Sequence, residues 1–101
     1  MKVNALPAKG ISRYLVAEGL DPEKVRVHIS EVEAGSRSHA AHTHPGVEGF
    51  YMLEGRATVE VEEERIPLGP NEMIFVDATK PHGISNAGST RMRYMVFIAR
   101  G

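Results

Sequence analysis

The sequence predicts an all-β domain, and three observations carry that prediction. Apolar residues recur at every second position in several short runs, the spacing of a strand with one buried face. Glycine, proline, asparagine and aspartate punctuate those runs at turn-like intervals. No stretch of ten or more residues carries an amphipathic helical pattern. Many short strands joined by turns pack as a sandwich or a closed barrel.

Taken in order, "ISRYLVAEGL" (Ile11 to Leu20) reads as a strand or a short helix, and its β-branched and aromatic residues favour the strand. "VRVHISEV" (Val25 to Val32) alternates, with Val25, Val27 and Ile29 on one face and Arg26, His28 and Ser30 on the other. "GFYMLEG" and "RATVEVEEE" follow, with Gly55 between them where a tight hairpin needs it. Ala57, Val59 and Val61 alternate with polar residues as in a half-exposed strand, and Glu62-Glu63-Glu64 reads as a solvated hairpin end. "EMIFV" (Glu72 to Val76) follows the turn signal "PLGPN", and "RMRYMVFIAR" (Arg91 to Arg100) follows "SNAGS". This last run is apolar on both faces: Met92, Tyr94, Val96 and Ile98 on one, Met95 and Phe97 on the other. Such a strand is buried on both sides. Its outer face needs a second sheet layer or a second subunit, so a homodimer is expected.

The 101 residues suffice for one domain, 1–101, with a core barrel over about 24–99 and an N-terminal strand or arm over 1–23. A domain this small buries a modest core, which dimerisation would supplement. Apolar residues at 42% and charged residues at 25% are ordinary globular usage. A formal net charge of −1 without a basic block speaks against a nucleic-acid partner. No window approaches the ~20 apolar residues of a membrane span. "MKVNALPAKG" lacks the apolar core of a signal peptide, so a cytoplasmic location is expected. With no cysteine there is no disulfide, no thiolate nucleophile and no sulfur-ligated metal.

The chemistry gathers in "HAAHTHPGVEGFYMLEG", His39 to Gly55. Alternate side chains of a strand share a face. His42 and His44 therefore point one way, and Glu48 keeps that parity if the Pro45-Gly46 bend preserves register, with Phe50 and Met52 continuing the face. Neutral imidazole and carboxylate suit a divalent zinc, iron, nickel, manganese or copper ion. In "KPHGISN", His82 is available as a fourth ligand, with Ile84 and Asn86 at its parity. Glu48 would lower the formal charge of such a site from +2 to +1, leaving a preference for carboxylates or enolates. His39 has the opposite parity to His42 and reads as a solvent-facing loop residue. His28, on the polar face of its strand, reads as exposed or at a pocket rim.

These motifs resemble those of a small single-domain cupin, of the RmlC-like superfamily. The first family motif is matched by Gly35, His42, His44, Glu48 and Gly55, with a gap from glycine to histidine one residue longer than the commonest form. The second is matched by Gly69, His82 and Asn86; Val76-Asp77 stands where the motif has its central proline, and Pro81 precedes His82 instead. The resemblance implies a double-stranded β-helix, or jelly-roll barrel, of two antiparallel sheets. It implies one divalent transition metal per chain (Zn, Fe, Mn, Ni or Cu) on His42, His44, Glu48 and His82. It gives Gly35, Gly55 and Gly69 turn roles at positive φ, and Asn86 the role of tying a loop.

Phe50, Met52 and Ile84 are candidates to line a pocket or to be plain barrel core, with core the stronger reading for Met52, and Tyr51, Arg93 and Tyr94 are candidate polar pocket groups or else surface or interface residues. An arginine would clamp a carboxylate, and a tyrosine would donate a hydrogen bond or a proton. A small-molecule substrate or ligand is the expected partner. Small cupins resemble metal-dependent isomerases and lyases acting on sugar acids or keto acids, and the expectation follows them. A metal-dependent dioxygenase is the alternative, and a non-catalytic binding module the third reading. A regulatory cupin separated from a DNA-binding module ranks last, since no helix-turn-helix segment is present.

Overall fold

The computed structural model describes residues 1–100, and within them the fold is all β. In chain order the strands are β1 (Val3–Ala8), β2 (Ile11–Ala17), β3 (Val25–Val32), β4 (Val47–Glu54), β5 (Ala57–Val61), β6 (Glu64–Leu68), β7 (Met73–Asp77), β8 (His82–Asn86) and β9 (Met92–Ala99). The ambiguous segment at Ile11 is thus strand β2. No described helix is long and apolar enough to cross a membrane.

Two antiparallel sheets face each other across the core, one ordered β3-β9-β4-β7 and the other β6-β5-β8. β1 and β2 form a separate hairpin. Its Lys9-Gly10 turn rests on β3, where the Ile29 amide donates to the Lys9 carbonyl at 3.3 Å.

Strand parity decides which side chains enter the barrel. Met92, Tyr94 and Val96 on β9, Phe50 and Met52 on β4, and Val59 on β5 point inward and are at most 3% exposed. On β3 the inward side chains are the polar ones of the alternation: His28 is half-buried, and Ser30 is buried with Val32 beyond it. Val25, Val27 and Ile29 face out. The barrel is therefore apolar at the Met52–Met92 end and polar toward His28 and Glu48.

Three glycine expectations meet different outcomes. Gly35 and Gly55 have φ of +74° and +83°. Gly55 is not a hairpin hinge, however: β4 and β5 lie in different sheets, and the Gly55-Arg56 step carries the chain from one to the other. A Cβ there would come within 2.9 Å of Met92 Cα, so the crossing needs glycine. Gly69 does not have a positive φ. Its role is a close approach, with its amide donating to Glu72 Oε1 at 2.6 Å. Asn86 ties a loop as expected, donating to the carbonyls of Val32 (2.9 Å) and Thr90 (2.8 Å) and accepting from the Gly88 amide (2.9 Å).

Gly46 makes the bend into β4. Its φ is +94°, and a Cβ would lie 2.2 Å from the Ala99 carbonyl oxygen. Backbone strain and overlap together predict that Gly46→Ala costs about 3 kcal/mol in urea unfolding. Gly88→Ala, where a Cβ meets only ordinary contacts at 3.5 Å or more, should stay within about 0.5 kcal/mol of the parent. Equal midpoints for the two variants would contradict this assignment.

Candidate metal centre

The histidine-rich loop is laid against the segment before β8 by backbone pairing. His42 and His82 exchange amide–carbonyl bonds at 3.1 Å each way, and the His44 amide donates to the Ala78 carbonyl at 2.9 Å. The two-residue spacing then turns the His42 and His44 rings to the same side. Ring centroids of His42 and His44 lie 4.9 Å and 5.0 Å from that of His82. Glu48 arrives from the other sheet, on the inward face of β4. One ligand atom from each of His42, His44, Glu48 and His82 lies within 4.8 Å of the others.

The turn before His82, which lacks the motif's central proline, is held by Asp77. Its carboxylate accepts from the Thr79 hydroxyl (2.6 Å) and amide (3.0 Å), bonds that also lower its pKa. Beyond it, His82 Nδ1 donates to the Lys80 carbonyl at 2.8 Å, and His44 Nδ1 to the Pro45 carbonyl at 3.1 Å. A ring whose Nδ1 donates to a carbonyl turns Nε2 toward the site, and in the neutral ring that nitrogen carries the lone pair. Nε2 of both rings is buried and makes no hydrogen bond.

Those lone pairs face a carboxylate. His82 Nε2 lies 2.9 Å from Glu48 Oε2, and His44 Nε2 lies 3.4 Å from Oε1. The approach is close, yet it lacks hydrogen-bond geometry. His82 is fully buried and Glu48 is 5% exposed. Acceptors converging in a buried setting are repulsive unless a cation lies among them. The donor set fits that cation: three imidazole nitrogens and one carboxylate oxygen suit a borderline divalent transition metal, and the absence of sulfur is compatible with zinc, iron, manganese, nickel or copper.

Beside the four residues is a cavity of about 100 Å³ whose walls include His28, Phe50, Ile84, Tyr94, Val96 and Ile98. Phe50, Ile84 and Tyr94 thus stand where pocket residues were expected. Tyr94 is 2% exposed, and its hydroxyl lies 3.1 Å from Ser38 Oγ. The other three candidates take the alternative the sequence left open, core for Met52 and surface for Tyr51 and Arg93. Met52 shares Glu48's face but sits two strand steps deeper, fully buried in the core. Tyr51 and Arg93 have the opposite parity and project from the outer face of the sheet, as alternation requires. Tyr51 there donates to Asn71 Oδ1 at 3.4 Å, and Arg93 lies 3.5 Å from a Glu31 carboxylate oxygen.

Two further histidines line this cavity: His28, which the sequence read as exposed or at a pocket rim, and His39, which it gave no site role. All five histidines of the chain therefore meet at one end of the barrel. His39 is exposed, but its Nδ1 lies 3.2 Å from Nδ1 of His42. It is the solvent-facing loop residue the sequence predicts, and it also borders the cavity. For His28 the usable signal was the alternation of β3 itself: a barrel that holds polar chemistry turns the polar face inward.

The family model described as Cupin domain matches residues 28–98. No curated protein matches the chain. Among solved structures, a predicted oxalate decarboxylase from Thermotoga maritima is 25% identical over 78% of this chain and 70% of its own, with a TM-score of 0.70. A cupin superfamily protein from Desulfitobacterium hafniense is 20% identical over 99% and 79%, with a TM-score of 0.67. An RmlC-like cupin family protein with a double-stranded β-helix fold from Methanocaldococcus jannaschii is 15% identical over 98% and 81%, with a TM-score of 0.72.

Burial, followed by the charge of Lys9, holds the His28 pKa below the ordinary imidazole value. In the unfolded chain that ring takes up its proton first as the pH falls. Stability is therefore complete above about pH 6.5 and declines from there down to the lowered folded value. The urea midpoint of the metal-free protein should be lower at pH 5.5 than at pH 7.5, and His28→Gln should shrink that difference. An unchanged pH dependence in the variant would contradict it.

Proposed function

We propose that this chain, which belongs to the cupin domain family, is a divalent-metal-dependent enzyme of the isomerase or lyase type, acting on a small oxygenated substrate such as a sugar acid or keto acid. The observation that carries this reading is the convergence of unpaired Nε2 atoms and a buried carboxylate at the edge of a small cavity whose remaining walls are not ligands. The similarity to the predicted oxalate decarboxylase supports carbon–carbon chemistry at a carboxylic acid.

A metal ion bound there would polarise a substrate carbonyl or carboxylate as a Lewis acid. The chain's own residues supply the rest. Glu48 halves the formal charge of a divalent centre, so an anionic substrate is held without being trapped. Phe50, Ile84 and Val96 exclude water and strengthen the field of the site. The Tyr94 hydroxyl, steadied by Ser38, is placed on the cavity wall to donate a hydrogen bond or a proton to substrate oxygen.

The metal reading predicts that His44→Ala and His82→Ala each lower metal affinity by at least about 100-fold, measured by competition with a chromophoric chelator. Wild-type affinity in both variants would contradict it. The catalytic reading is tested with protein loaded separately with zinc, manganese, iron(II) or nickel. Under argon, pyruvate in D₂O and oxaloacetate are followed by NMR for exchange and decarboxylation. Turnover with at least one ion, abolished by chelator and by His82→Ala, is expected. No turnover with any ion under argon would overturn the isomerase or lyase assignment, and turnover that appears only in parallel samples under air, with oxygen consumed, would mark the dioxygenase.

A further inference from the structure

We infer that the cavity takes a short carboxylic acid of about four to six non-hydrogen atoms, engaged by the convergent four-residue set at one end and hydrogen-bonded by His28 at the other. This inference rests on the metal reading above and narrows it. Size is the first argument. The cavity measures about 100 Å³, smaller than an apolar cavity of ~150 Å³ that binds benzene, with its six carbons. A six-carbon sugar acid, with about a dozen heavy atoms, exceeds the space; two- and three-carbon acids fit it.

Charge is the second argument. Glu48 is the carboxylate among the lining residues. A divalent ion beside it leaves a net +1, and Lys9 and Arg26 add positive potential at His28, joining burial, the larger cause, in lowering its pKa against the opposing charge of Glu48. The third argument is placement. His28 stands on β3, a strand that contributes none of the four convergent residues, and its register partner across the sheet is Val96, another wall of the cavity. Neutral imidazole there offers one N–H to a substrate oxygen while Phe50, Ile84 and Val96 pack its carbon skeleton.

Cobalt(II)-loaded protein gives a readout that does not depend on turnover. Acetate, oxalate, pyruvate and gluconate are titrated against its visible spectrum. Saturable changes are expected with oxalate and pyruvate, and none with gluconate at the same concentrations. His28→Leu should keep stoichiometric cobalt and weaken pyruvate about tenfold, and His28→Asn should recover part of that loss. Absence of cobalt uptake by the parent would overturn the metal reading itself. Normal uptake with gluconate binding as tightly as pyruvate, or with His28→Leu unaffected, would overturn this inference alone. Loss of cobalt in His28→Leu would also overturn it, by making His28 a ligand.

A separate observation points to self-association. The two sheets have unlike outer faces. On β6-β5-β8 the outward side chains include Thr58, Glu60, Arg65 and Ser85, an ordinary solvated surface. On β3-β9-β4-β7 the register aligns Val27, Phe97, Gly49 and Phe75 in one row and Ile29, Met95, Tyr51 and Met73 in the next. Neither row holds a charge, the signature of an interface core. Phe75 is 63% exposed at one edge and lies over Gly49, where a Cβ would come 2.7 Å from its ring. At the opposite edge, β3 and the β1–β2 arm bound an open groove lined by Leu15, Leu20, Val25 and Val27.

We propose that the occupant is a second copy of this chain, packed face to face so that Phe75 of each copy enters the arm groove of the other. A two-fold axis parallel to the strands places β7 over the partner's β3, so knob and groove meet twice. Leu15, Leu20, Val25, Met73 and Phe75, each 38–66% exposed, supply exposed apolar surface toward the ~800 Å² per partner of a stable interface. Light scattering at about 50 µM should report a dimer for the parent and a monomer for Phe75→Lys, with circular dichroism confirming that the variant is folded. Because the chain lacks cysteine, Phe75→Cys mixed with Leu15→Cys gives an independent test. A disulfide between differently tagged chains is expected under mild oxidation. A monomeric parent, a dimeric Phe75→Lys, or no such cross-link would each overturn this arrangement.

Discussion

The structure depends on one unbalanced contact. Inside the barrel, the carboxylate of Glu48 meets the Nε2 lone pairs of His82 and His44 at 2.9 and 3.4 Å, with both Nδ1 protons already committed to backbone carbonyls. Removing an ionised carboxylate from water costs several kcal/mol even after relaxation. Neutral imidazole presented through its acceptor nitrogen offers no compensation. A cation shared by all four residues turns the same geometry from repulsive to favourable. That ion would also cross-link the two sheets, because Glu48 lies on β4 and His82 on β8. Binding it would therefore add to folding stability by mass action.

The remainder of the barrel supports that contact. Glu48, Phe50 and Met52 share one inward face, so the strand that delivers the carboxylate also anchors itself in the core. His82, Ile84 and Asn86 do the same on β8. The His42–His44 loop has no such anchor and is held by backbone pairing to residues 78–82, by the Gly46 bend and by the Asp77 turn. The core is dry at the Met52–Met92 end, and the chemistry lies at the other end, behind a wall of Phe50, Ile84 and Val96. This arrangement accounts for a site that is rigid and small together.

Much of this was legible in the sequence, for identifiable reasons. Strand alternation is local, so the β class, the two faces of β9 and the shared face of Glu48, Phe50 and Met52 follow from spacing alone. The pairing of His82 with the first cluster is non-local, and it was reached through the resemblance of both motifs to the cupin pattern. What could not be read were choices made by packing. Whether Gly55 closes a hairpin or crosses between sheets depends on where β5 finds its partners. Whether the polar face of β3 looks out or in depends on what the barrel encloses, which is why the sequence left His28 between an exposed position and a pocket rim. Tyr51 and Arg93 were selected for their chemistry, and their parity, which was legible, places them outside.

The most direct test of the account is X-ray absorption on protein purified without a metal-affinity resin and then reconstituted with one equivalent of zinc. The account predicts about one ion per chain. It predicts a first shell of three imidazole nitrogens and one carboxylate oxygen at ~2.0–2.2 Å, losing an imidazole in His82→Ala. Less than about 0.2 ion per chain after reconstitution, or a bound ion whose shell contains no imidazole scattering, would contradict it.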